Sequence, residues 1–401
     1  MSTRDHRPAP PASAEKNDPA AAEHPTKASR AKRQAEGGPD VVVLGGGIIG
    51  LATAWELARA GLRVELLERG KVGSGATNAS AGMIAPLAEA APGDPFFEVC
   101  RQSRELWQSW QEELAEHSGV EIEYDRSGAL ALAWSEDDEA HLERLRTAAR
   151  AAEEPAVPIP RAELGRLIPG LSEQVRKALL LPGEHRVDNV QVTLALVRAF
   201  RRAGGTVRTR REVTSVEVEP SGVLLRGEDW QLRAPRLVLA AGAWSGEIPG
   251  LPALPVRPVR GQMLRLSGAA WEFRGSVRTA HFYAVRRGAS GLLVGASVEE
   301  AGFDCRTTLG GLARYFELAL RYFPRLADRP VEATWAGLRP GTPDGQPILG
   351  PLGDGPVVAA TGHYRTGILL APWTARALAD LILGKKPAPE LAAFRAERFS
   401  D

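Results

Sequence analysis

Residues 41–80 read VVVLGGGIIGLATAWELARAGLRVELLERGKVGSGATNAS, and the order of apolar run, glycines and acid in that stretch decides the fold. Four apolar residues (Val41, Val42, Val43, Leu44) run straight into Gly45-Gly46-Gly47-Ile48-Ile49-Gly50, which satisfies G-x-G-x-x-G. Ile49, Ala52, Leu57 and Ala60 recur near helical spacing until Gly61 breaks the pattern, and a second strand over 63–67 ends in Glu68. Strand, glycine turn, helix, strand and terminal acid within about 30 residues mark a dinucleotide-binding βαβ unit. Gly45 permits the tight turn, Gly47 lets the backbone approach a pyrophosphate, and Gly50 lets the helix pack closely on the strand. The positive end of the helix then faces the phosphates. Glu68 is placed to accept both hydroxyls of an adenosine ribose, and an acid there disfavours a 2′-phosphate. A glycine-rich turn in an ordinary α/β domain is the bland alternative, and the flanking elements together outweigh it.

The whole chain narrows the class. Its 401 residues suffice for two domains or one elaborated one, and a net charge of +1 offers no argument for nucleic acid or an anionic membrane. Two cysteines, Cys100 and Cys305, are too few for a disulfide framework or a cysteine-based zinc site. No apolar run approaches the length of a membrane span, so the cytoplasm is the expected address. Residues 1–38 contain no aromatic residue and no Ile, Leu or Val. Such a segment buries too little apolar surface to offset its ordering entropy and is expected to be a disordered tail, without the apolar core of a secretory signal.

After Glu68, the small-residue loop 73–82 offers Ser74, Thr77 and Asn78 as donors over a pyrophosphate. A packed helix is expected near 97–114, with Trp107 and Trp110 in the core, followed by a strand over 128–134 and a polar helix over 136–152. The proline-rich stretch 155–160 reads as a connector. A helix over 190–203 is capped by Asp188 or Asn189 and stopped by Gly204-Gly205. Four short strands (207–209, 213–218, 223–226, 231–233) resemble a meander. The continuous apolar run 236–241, ending at Gly242, suits a parallel strand buried on both faces. Antiparallel strands follow at 261–266, 282–286 and 291–296, with a helix over 308–322. A final strand (357–360), a loop carrying Gly362 and Gly367, and a helix over 368–383 make a second anion-favouring arrangement. The expected fold is therefore α/β, a discontinuous Rossmann-like domain (39–90, 186–255 and 334–401), with an α+β domain on an antiparallel sheet (91–185 and 256–333).

The blocks GGGIIGLATAWELARAG, LLERG, GATNASAGMIAPLAE, AAGAWSG, HFYAVRR, LLVGAS, WAGLRPGTPDGQPILG and GHYRTGILLAP occur in that order from about residue 40 to the C-terminus. In this they resemble the D-amino-acid oxidase family of flavoproteins, and within it the glycine oxidases of the thiamine route. The resemblance implies noncovalent FAD. Gly45, Gly47, Ile48, Ile49 and Gly50 would hold its pyrophosphate, Glu68 the adenosine ribose, and Arg69, Thr77, Ser80, Ala81, Gly82 and Met83 the central part. Backbone at Val213 would reach the adenine side, and Ala241 and Gly242 would lie near the cofactor. His363, Tyr364, Arg365, Thr366, Gly367, Ile368 and Leu369 would meet the isoalloxazine, and Arg339 is counted among the cofactor contacts. No cysteine follows Cys305, which argues against the covalent attachment of monomeric sarcosine oxidases.

For substrate, the resemblance places Arg339 on the α-carboxylate, where its fork makes two parallel charge-assisted bonds. Tyr283 would add a hydroxyl, with His281, Arg365 and Met83 nearby. A surface ion pair is the bland reading of Arg339, and a core tyrosine that of Tyr283. Val298 stands where glycine oxidases carry methionine, which leaves substrate preference open. The implied reaction is FAD-dependent oxidative deamination of glycine and other small amines, such as sarcosine and small D-amino acids. Hydride would pass to flavin and O2 would be reduced to H2O2. The product would supply thiazole synthesis, with the thiazole synthase machinery as partner and a homotetramer as the assembly. Two rivals stand beside it: a dehydrogenase or sarcosine oxidase-like enzyme using another acceptor, and a non-catalytic flavin-binding protein.

Overall fold

The computed structural model describes residues 37–268 and 271–400. Nearly all of the segment expected to be a disordered tail, residues 1–36, lies outside them. From Gly38 onward the chain forms one compact unit.

A six-stranded sheet carries the glycine motif. Its order is Ile348–Pro351, Val357–Thr361, Arg236–Leu239, Val41–Leu44, Val64–Glu68, Thr206–Thr209. Val43 pairs in parallel with Leu66 on one side and Val238 on the other. Ile348–Pro351 alone runs antiparallel, at the edge. The central strands are buried along their length, which is why they read as continuous apolar runs. Because the chain leaves Val41–Leu44 in one direction and returns to its other flank much later, a crevice opens beyond the carboxyl ends of these strands.

One expected meander strand is reassigned. Thr206–Thr209 pairs in parallel with Val64–Glu68, while only 215–219, 222–226 and 231–234 form the antiparallel three-stranded sheet. The helix Asn189–Arg202 immediately before it packs in one core with Ile48–Arg59, which delivers the strand to the open edge beside Val64–Glu68.

The second large sheet has eight strands, from Val331–Gly341 through Arg257–Leu266, Gly291–Gly295, Tyr283–Arg287, Ser276–Arg278, Ala129–Ala133 and Lys177–Leu181 to Val157–Pro158. All neighbours are antiparallel except Ser276–Arg278 beside Ala129–Ala133. The stretch read as a connector thus supplies a two-residue edge strand, the place where a sheet tolerates proline.

Helices Ile48–Arg59, Pro95–Ser118, Asn189–Arg202 and Gly367–Ile382 share a core with the six-stranded sheet. Asp94 and Asp188 cap two of them through their carboxylates. Trp107 and Trp110 are fully buried, as expected. The Trp107 indole N–H also donates to the Leu369 carbonyl at 3.0 Å, as does the Ser103 hydroxyl at 2.7 Å. These bonds fix the start of the last helix against the long one.

Candidate active site

The glycine turn is built by exclusion of side chains. Gly45 has φ +115°, and a Cβ there would lie 2.2 Å from the Ala240 carbonyl oxygen. A Cβ on Gly50 would lie 2.0 Å from the Gly45 oxygen, so Gly50 seats the helix on the turn and does not itself line the cavity described below. The N-cap residue, Gly47, has no side chain to offer the first turn of Ile48–Arg59. The Ile48 N–H donates to Thr77 Oγ1 at 3.0 Å, which ties the small-residue loop across the helix end. Asn189 donates to the Thr77 carbonyl at 2.6 Å, and Arg287 donates to Asn189 Oδ1 at 2.7 Å and to the Ala81 carbonyl at 3.1 Å. Arg287 also pairs with Asp188 at 2.6 Å. A buried polar chain therefore runs from the eight-stranded sheet to the glycine turn.

Glu68 accepts from the N–H groups of Gly46 and Gly70, both at 2.8 Å. Each carboxylate oxygen keeps a further lone pair for a ligand. Arg69 lays its guanidinium 3.7 Å over the Trp244 ring, and Trp244 stacks on Phe303. Ser74 and Thr77 face the cavity, whereas Asn78 accepts from Thr193 at 3.3 Å and faces the helix Asn189–Arg202 instead.

One cavity of about 1080 Å3 begins at Gly45–Gly47 and Glu68, passes Val213, Ala241 and Gly242, and ends among Arg339, Tyr283, His281 and Arg365. Gly242 has φ +57°, and a Cβ there would meet nothing within 4 Å. Ile48, Ile49, Arg69, Ser80, Ala81, Gly82, Met83, His363, Tyr364, Gly367, Ile368 and Leu369 also line it. Thr366 does not. Its N–H and hydroxyl both donate to the His363 carbonyl at 2.8 Å, closing the turn before the last helix, so its N–H is not free to face a ligand.

At the far end Arg339 sits on the strand Val331–Gly341, opposite Val259. Gly261 makes room for it, because a Cβ there would lie 2.4 Å from Arg339 Nη2. Arg339 donates to the Ser297 carbonyl at 2.9 Å and, among the described residues, has no carboxylate partner. Tyr283 donates to Met263 Sδ at 3.3 Å. Burial pushes its hydroxyl pKa up, against the nearby Arg339 and Arg365 charges, so it stays a proton donor. His281 is half exposed at the rim, 3.9 Å from Asp138. His363 is buried, with Nε2 3.1 Å from Thr374 Oγ1, and burial pushes its pKa down to about 3. It is a neutral imidazole.

Two lining groups escaped sequence reasoning. Glu89 holds Arg365 through contacts of 3.1 Å to each carboxylate oxygen. Arg278 holds the buried Glu184 at 2.8 and 2.9 Å. Glu89 had a faint signal, an acid closing the apolar run MIAPLAE, but its partner lies far along the chain. A glycine turn that excludes side chains, a helix start facing the cavity, a carboxylate with lone pairs to spare at its edge and an elongated cavity fit a flavin dinucleotide with room for a small substrate.

Comparison with known proteins agrees. The FAD dependent oxidoreductase family DAO matches residues 40–381. A glycine oxidase from Bacillus licheniformis is 34% identical over 90% of this chain and 97% of the relative. A bifunctional protein ThiO/ThiG from Trichormus variabilis is 34% identical over 90% of this chain, which spans 55% of that protein. The crystal structure of glycine oxidase from Geobacillus kaustophilus superposes with a TM-score of 0.85 at 33% identity, covering 90% of this chain and 99% of the other.

Proposed function

Because this chain belongs to the FAD dependent oxidoreductase (DAO) family, we propose that it oxidises glycine and other small amines, including sarcosine and small D-amino acids. The net reaction joins glycine, O2 and water to give glyoxylate, ammonia and H2O2. The carrying observation is Arg339, an arginine without an acid partner among the described residues, at the end of a cavity that starts at a dinucleotide turn.

FAD supplies the two-electron acceptor when bound. Gly45, Gly47, Glu68, Arg69, Thr77 and residues 80–83 hold it from the six-stranded sheet, Val213, Ala241 and Gly242 flank it, and residues 363–365 and 367–369 border its far end. The cofactor and substrate thus fall to different sheets, which supports reading the compact unit as two interleaved domains.

The chain's own work is orientation. Arg339 makes two parallel bonds to the substrate carboxylate, and the Tyr283 hydroxyl donates a third. Pinning the carboxylate fixes the adjacent carbon, converting an encounter into a positioned contact. Met83, Met263 and Phe282 restrict the space beside that carbon. Val298 lines the cavity but is 60% exposed, so it stands at the mouth and leaves substrate preference open. His281 is at the rim and fits an entrance role better than a carboxylate contact.

The same reading places the reaction upstream of thiazole synthesis, as the ThiO/ThiG relative suggests, in a cytoplasmic homotetramer. No described helix is long and apolar enough to cross a membrane. The test is peroxide release by the holoprotein in air with glycine, sarcosine, D-alanine and D-proline. Peroxide with glycine among the best substrates is expected. Reduction of an artificial acceptor without peroxide would make the protein a dehydrogenase, and flavin left oxidised by every amine would remove the substrate assignment.

A further inference from the structure

Among the described residues four acidic side chains line the cavity: Glu68, Glu89, Glu212 and Glu247. Glu68 is engaged at the glycine turn. Glu212 adjoins Val213, and Glu247 ends the short helix after Gly242, so both belong to the dinucleotide half. Glu89 is the acid at the substrate end, close enough to Tyr283 for its charge to act on that hydroxyl.

We propose that Glu89 receives the ammonium group of the incoming zwitterion and takes one proton from it. The reading rests on Arg339 holding the substrate carboxylate. An N–H bond of the ammonium breaks and an O–H bond forms on Glu89, leaving a neutral amine and a neutral carboxylic acid, with nothing oxidised or reduced. A neutral amine is what the oxidation needs, since its lone pair must be available as the adjacent C–H bond breaks.

The surroundings suit this task. Each Glu89 oxygen accepts from Arg365 and keeps one lone-pair direction. The groups facing it are Arg365 from the loop before the last helix, Arg278 from the strand Ser276–Arg278, Glu184 from the turn before His185, Tyr283, and Cys100 from the long helix. Arg278 is committed to Glu184, so the cluster is close to neutral. Burial raises the Glu89 pKa against the Arg365 and Arg278 charges, which brings acid and amine closer to matched affinity.

The experiment compares glycine with acetate, which keeps the carboxylate and lacks the amine. Holoenzyme of wild type, Glu89→Gln, Glu89→Asp and Arg339→Ala is assayed for glycine kcat and KM between about pH 6 and pH 10, and for acetate inhibition. Removing an ionised partner should raise the glycine KM of E89Q about 10- to 100-fold at about pH 7. Its acetate constant should stay the same or tighten, because Arg365 is freed. The basic limb of its pH profile should move toward ionisation of free glycine, and E89D should restore part of it. Equal weakening of glycine and acetate in E89Q would mean that Glu89 only props Arg365, and unchanged glycine kinetics would mean no role; either overturns the proposal. Loss of both ligands in R339A with acetate retained in E89Q keeps the carboxylate reading separate. R339A binding acetate like wild type would sink that reading and leave the E89Q pH profile as the judge of this one.

Discussion

The buried imidazole of His363 makes acid stability a sharp test of the site. His363 is 2% exposed, and burial pushes its pKa from an ordinary 6.5 to about 3. The unfolded chain therefore binds more protons than the folded one between those two values. Stability is fully present above the unfolded value and falls as pH drops through it, levelling only near the folded value. Each pH unit below 6.5 costs about 1.4 kcal/mol, so acidification to about pH 5 should remove about 2 kcal/mol through this residue alone. His363→Gln keeps a hydrogen-bonding partner for Thr374 and has nothing to titrate. Urea unfolding of both proteins at about pH 7 and about pH 5 isolates the effect, since the other groups cancel in the difference. Wild type should lose about 2 kcal/mol more than the variant. Equal losses would show that the imidazole protonates in the folded protein, and the neutral assignment beside the last helix would be wrong.

Other perturbations probe the remaining parts. Arg339→Lys keeps the charge but loses the fork, and should raise the glycine KM about 10-fold or more with FAD content unchanged; a normal KM would refute bidentate capture. Gly50→Ala drives a methyl into the Gly45 carbonyl, 2.0 Å from the new carbon, and should cost about 1–3 kcal/mol and loosen FAD binding; a fully loaded, equally stable variant would contradict the packing role. Arg287→Met leaves Asn189 Oδ1 without its donor and takes the cation from Asp188, and should cost about 3–5 kcal/mol, with a weaker FAD dissociation constant because Asn189 orders Thr77; if flavin affinity is untouched, the polar chain is structural only.

The parts legible in the sequence are those whose causes are local. The glycine turn, its helix and Glu68 are fixed within about 30 residues, and turn, packing and acid all have local signatures. The parallel partner of Thr206–Thr209 lies near residue 65, and nothing in an isolated four-residue strand says which sheet it joins. Asn78 and Thr366 carry the same donor chemistry as their cavity-lining neighbours. Thr366 is taken up by a local turn onto the His363 carbonyl that the glycines around it do not reveal, whereas Asn78 is turned toward Thr193 by tertiary geometry. Glu89 was hidden for the same reason, since its meaning depends on Arg365, 276 residues away.

The charges of the cavity bring these scales together. Among the described residues five arginines line it, at 69, 211, 278, 339 and 365, against four glutamates. Arg278 and Arg365 each hold a glutamate, and Arg211 reaches Asp229 at 3.5 Å. Arg69 spends its face on Trp244 and Arg339 one N–H on a carbonyl; among the described residues neither has an acid partner. An uncompensated guanidinium in a partly buried groove is costly unless a ligand anion completes it. One of the two stands by the dinucleotide turn and the other beside Tyr283, at opposite reaches of one cavity. That placement suits an anionic cofactor at one end and a small carboxylate at the other.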